Sequence, residues 1–142
     1  LESILLFLKD RPDDISKDSL LCWLELFECP NLPEAAASAI KPKLEKMIPA
    51  SVETDSSKWG EYCMKPIDIV RNPESAFLPL VEKILQENLE YEIDQQQTDG
   101  SWAPNWNWAG AFPEDWKKAA QEWSGHLTLE RLRLFKAFKM IV

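Results

Sequence analysis

The sequence predicts an all-α protein, and three observations carry that expectation. Apolar residues recur at steps of three or four over several stretches. Helix start and stop residues flank those stretches, and no run alternates apolar and polar residues as a half-buried strand would. At 142 residues, 45% hydrophobic and 28% charged, the chain is one domain's worth of polypeptide with enough apolar surface to fold without staples.

Residues 3–9 and 16–28 read as two short helices around the loop Asp10-Arg11-Pro12-Asp13-Asp14. In the second, Leu20, Leu21, Cys22, Trp23 and Leu24 are apolar almost all round, which predicts deep burial. Pro33 can open the next helix, along which Ala36, Ile40, Leu44 and Met47 follow at helical spacing, with Pro42 expected to kink or break it. Residues 49–73 are punctuated by Pro, Gly and Ser yet hold Trp59, Tyr62, Met64 and Ile67. They read as a long ordered loop packed over the helices, with a strand-like stretch near 66–70.

The clearest helix spans 79–96, where Leu78, Val81, Leu85, Leu89 and Ile93 form the apolar stripe. A loop follows at 98–112, and Pro113 starts a further helix with Glu114 and Asp115 at its positive end. Trp116, Ala120 and Trp123 share one face of that helix, and Gly125 reads as its stop. Thr128 is then expected to cap a last helix, with Leu127 stapled onto Leu132 and a core face of Leu132, Phe135 and Phe138.

Charge excludes some partners. The net charge of −8 is unsuited to a polyanion, so no nucleic acid is expected. Seven acids against one base fall within residues 74–99, as expected of a solvated helix face. No apolar run approaches the roughly 20 residues of a membrane span. Cys22, Cys29 and Cys63, an odd number with no close pair, read as free, buried thiols in a reducing cytoplasm. With one histidine, His126, and no paired-cysteine spacing, no metal and no cofactor are expected. The chain opens Leu1-Glu2-Ser3-Ile4-Leu5 inside a helical pattern with no initiator Met and no signal peptide, and is read as a piece of a longer chain.

Five of the seven tryptophans fall between positions 102 and 123. The stretch Gln95-Gln96-Gln97-Thr98-Asp99-Gly100-Ser101-Trp102 ends one helix and begins a turn. It resembles the QW motif of the α/α-toroid families, the squalene and oxidosqualene cyclases and more loosely the protein prenyltransferase β-subunits. Gln96, Asp99, Gly100 and Trp102 match that motif. The resemblance implies antiparallel helical hairpins of α/α-toroid type, of which 142 residues supply a partial toroid. In such a motif glycine supplies a left-handed turn, tryptophan fills the corner between helices, and glutamine bonds backbone groups at the next helix end. Residues 112–138 also look like the C-terminal part of a family of uncharacterised bacterial and fungal proteins.

The resemblance carries no catalytic residue across. The cyclases protonate an alkene with an Asp-x-Asp-Asp motif, and Arg11 stands here where its first Asp should be, ahead of Asp13-Asp14. The prenyltransferases hold zinc on Asp, Cys and His, and the surroundings of Cys63 and His126 do not match. Three functions remain: a structural or interaction domain whose partner is itself or the rest of its chain, part of an isoprenoid-binding enzyme, or a carbohydrate-binding helical module. Trp59, Tyr62, Trp102, Trp106 and Trp108 are the candidate ligand-binding residues, since indole faces can stack on sugars or stabilise a carbocation. The competing reading places the same rings in the core.

Overall fold

Helix formation follows the apolar periodicity closely, and the protein is all-α. The computed structural model describes residues 6–8 and 10–141, so most of the helix expected at 3–9 lies outside the described residues; 6–8 are helical. Five further α-helices follow: α1 (Lys17–Phe27), α2 (Glu34–Ser51), α3 (Pro66–Ile69), α4 (Leu78–Asp94) and α5 (Pro113–Ala137). Among the described residues there is no strand, only an isolated parallel bridge between Val52 and Met64.

Ser16 caps α1, its hydroxyl accepting the Ser19 amide. The helix is amphipathic rather than buried all round. Leu20 and Leu24 face the core, Leu21 and Trp23 are half-buried, and Cys22 is exposed. The expectation of buried cysteines fails likewise, with Cys29 exposed and Cys63 partly so. A short helix against a single neighbouring layer can bury only one stripe.

α2 starts directly after Pro33 and continues through both Pro42 and Pro49, so the expected break at Pro42 does not occur. Both prolines lie on the exposed side, with exposed Ser38 and Glu45 one turn before them. The carbonyls left without an N–H partner can therefore turn to water. The opposite side buries Ala36, Ile40, Leu44, Met47 and Ile48 against α1 and α4.

The ordered connection expected at 49–73 runs instead from 52 to 77, since 49–51 belong to α2, and residues 66–69 form the helical turn α3 rather than the expected strand-like stretch. Pro66 fits the first position of a helix, and the Asp68 carboxylate accepts the Lys65 amide at 2.9 Å, closing that turn. α3 packs on α4, where Asn88 accepts the Ile67 amide at 3.1 Å. The core joins both halves of the chain, from Leu20 and Leu44 through Ile67 and Val81 to Leu134 and Phe135.

α5 is one helix of 25 residues. Gly125 does not stop it, and Thr128 does not cap a new one. The Thr128 hydroxyl instead donates to the Ser124 carbonyl at 2.7 Å, one turn back, and accepts the Trp102 amide at 3.1 Å. Leu132 is exposed, so the core face here narrows to Leu134 and Phe135, with Leu127 and Phe138 half-buried. Likewise Trp116 is half-buried and Trp123 exposed, so they form no core face. Ala109, Gly110 and Phe112, all with positive φ, turn the chain into α5.

Candidate functional site

The turn after α4 is built by local hydrogen bonds. Gly100 has φ of 85°, the left-handed region that glycine enters without a Cβ penalty. Gln96 donates its side-chain amide to the Gly100 carbonyl at 2.8 Å, so it closes its own turn rather than reaching the next helix end. Asp99 accepts both the amide and the hydroxyl of Ser101, which holds its carboxyl below the usual range.

Trp102 then enters the core at 5% exposure. Its indole N–H donates to the Glu92 carbonyl at 2.7 Å, one of the orphan acceptors at the end of α4. Its backbone is fastened to α5, through the Thr128 hydroxyl on its amide and the Ser124 hydroxyl on its carbonyl. The backbones of α4 and α5 stay apart along most of their lengths, and the Trp102 ring fills the gap, tilted against Phe135.

The five aromatic candidates divide three ways. Trp102 and Trp59 are buried; the Trp59 indole donates to the Glu53 carbonyl and its ring meets Tyr91 edge-on at 5.4 Å. Trp108 lies against Trp116 at 5.2 Å, on the first half of α5. Tyr62 and Trp106 come together, 5.8 Å apart and edge-to-face, and Trp106 continues to Trp123 at 5.4 Å. His126 closes the row against Trp123.

These rings wall a cleft of about 700 Å³ between α1, α3 and α5, within the range of small-molecule sites. Tyr62 is 49% exposed and Trp123 42%, so both present ring surface to solvent. The Tyr62 hydroxyl donates to Asp18 at 2.6 Å, and this bond, with burial and the charges of Asp18 and Asp68, pushes its pKa up to about 12. Asn105 is held by its amide on the Glu61 carbonyl at 2.7 Å, which ties the tryptophan-bearing loop to the segment carrying Tyr62.

The remaining walls are charged. Lys17 pairs with Asp68 at 2.6 Å and Arg133 with Glu130 at 3.0 Å, and Arg71 pairs with Glu25. Deeper in, Glu92 receives Lys65 on one oxygen and Arg131 on the other, the latter at 2.5 Å. A second hollow of about 270 Å³ adjoins the cleft, and Lys65, Trp106 and Arg131 line both. Burial pushes the pKa of the nearby Cys63 thiol up.

Sequence reasoning missed Trp123, Asn105, Lys65, Glu92 and Arg131. Trp123 fits the aromatic spacing of a packing face equally well. The Lys65, Glu92 and Arg131 triad joins residues 27 and 39 positions apart, and no local pattern connects them. Among the described residues no three metal-ligating side chains converge, and no helix is long and apolar enough to cross a membrane. Compared with known proteins, the chain matches no family model, and neither a curated protein nor a solved structure gives a significant match.

Proposed function

We propose that this chain is a helical interaction domain that binds a saccharide in the cleft walled by Tyr62, Trp106 and Trp123. One observation carries the reading: three aromatic rings in edge-to-face sequence, two of them open to solvent, line a cleft otherwise rich in paired acids and bases. A sugar ring has apolar C–H faces that cover indole and phenol surface, and hydroxyls that both donate and accept. Asp18, Asn105, His126 and Glu130 offer the matching polar partners along the same walls.

An isoprenoid suits this cleft less well. Its hydrocarbon chain would strip water from Lys17, Asp18, Glu130 and Arg133 without replacing any hydrogen bond, at a cost of several kcal/mol for charged groups. The same reading takes the Gln96–Trp102 turn as the counterpart of a QW corner in a partial α/α toroid. The left-handed Gly100 and the buried Trp102 ring support it. It also assigns the chain to a reducing, cytoplasmic setting, which suits three free thiols. Leu129 and Leu132, open on α5, suit contact with a second copy or further chain.

Tryptophan emission tests the ligand class directly. Oligosaccharides, prenyl diphosphates and a squalene-like lipid are titrated in parallel against the chain and against Trp123→Ala. A saturable change with an oligosaccharide alone, lost in Trp123→Ala, is the expected result. A response only to the prenyl compounds or the lipid moves the reading to an isoprenoid site, and no response from any class removes the ligand role.

A further inference from the structure

The inner end of the cleft carries an unbalanced charge. Lys65 and Arg131 share one carboxylate, Glu92, and the Lys65 and Glu92 side chains are 8% and 3% exposed. Two cations on one anion leave a surplus positive charge in a poorly hydrated place, where it acts at short range with little screening. The other bases along the walls are each matched by an acid of their own: Lys17 by Asp68, Arg71 by Glu25 and Arg133 by Glu130. The remaining acid, Asp18, is exposed on α1, where solvent screens its charge, and it already accepts the Tyr62 hydroxyl.

Arg131 commits only part of its guanidinium to Glu92. Its Nε meets Glu92, which leaves the Nη1–Nη2 edge of the guanidinium for a second, planar anion. The residue lines both the cleft and the hollow behind it, beside Trp106. A carboxylate matches that edge in shape and gives the Lys65 and Arg131 pair a second anion beside Glu92.

We propose that the cleft holds a carboxylate subsite at Arg131 and Lys65, so that its ligand is an acidic saccharide, a uronic acid unit whose ring lies on Trp106 and Trp123. This rests on the saccharide reading of the same cleft and adds a charge requirement to it. A neutral sugar would leave the surplus unmet. A bare anion would not use the aromatic wall.

The test compares trigalacturonic acid, its uncharged methyl ester and cellotriose, each titrated calorimetrically against the whole chain at low and raised salt. The acid should bind at least about tenfold more tightly than its ester, as a charge-assisted bond gained or lost implies. That advantage should shrink as salt rises. Arg131 also supports Glu92, so the comparison on the unaltered chain is the primary readout. Arg131→Lys, which keeps the charge but not the fork, should reduce the preference several-fold while far-ultraviolet circular dichroism stays unchanged.

Equal or weaker binding of the acid than of the ester overturns the carboxylate subsite and leaves the saccharide reading standing. Binding of cellotriose alone does the same. If none of the three binds, the saccharide reading fails and the subsite with it.

Discussion

The Tyr62 hydroxyl faces an exposed carboxylate across 2.6 Å, and the bond exists only while the phenol keeps its proton. The group's pKa is raised from the ordinary 10.0 to about 12. Unfolded chains therefore lose this proton before folded ones do. The contribution to stability is complete below pH 10 and is lost as pH rises through 12. Phenolate absorbance should show Tyr62 ionising near the upper value, and Asp18→Asn should return that transition toward 10.0. Stability of Tyr62→Phe should be flatter with pH across the same window. An unchanged titration in Asp18→Asn would mean that the hydrogen bond is not its main cause. At this scale the sequence was informative about the turn at Gly100 and uninformative about the partner of Tyr62. A left-handed glycine leaves a mark in a four-residue pattern, whereas the pairing of Tyr62 with Asp18 spans 44 positions.

Elements were legible wherever one stripe of side chains decided them. The stripe of α4 predicted its extent to within two residues, although Ile93 ends up exposed. Punctuation residues misled more often. Pro42 and Gly125 carry strong local preferences, yet each sits on an exposed part of a helix that the rest of its residues support. Gly125 then weakens α5 without serving a turn. A Cβ built there meets nothing within 4 Å, so Gly125→Ala should raise stability by about 1 kcal/mol, visible as a higher melting temperature. A lower melting temperature would show that the glycine is needed where it stands. The helical turn at 66–69 was unreadable for a different reason: its stability comes from Asp68 and from packing on α4, and four residues hold no period.

Across the whole molecule, Glu92 is the point where three parts of the chain meet. Lys65 precedes α3, Glu92 belongs to α4 and Arg131 to α5, while the Glu92 carbonyl also receives Trp102. Removing the carboxylate leaves two cations facing each other out of water. Glu92→Ala should therefore cost about 3–5 kcal/mol in denaturant unfolding. Breaking the exposed Arg71–Glu25 pair by Arg71→Ala should cost about 0–1 kcal/mol. Equal losses from the two variants would show that the triad is no more than a surface contact. The net charge of −8 gave no hint of this arrangement, because a sum over the chain hides a local excess of the opposite sign. The all-α class was visible from periodicity, and so were two of the three cleft rings, as candidates. Their assembly depends on contacts between distant segments, which no spacing rule encodes.

The row of rings from Tyr62 through Trp106 to Trp123 also has an optical consequence. Tyr62 lies 5.8 Å from Trp106, close enough to pass its excitation to that indole faster than it emits, so light absorbed by the tyrosine leaves through tryptophan. A molecule that settles on Tyr62 or Trp106 will therefore change the tryptophan emission. The cleft thus reports its own occupancy without a label.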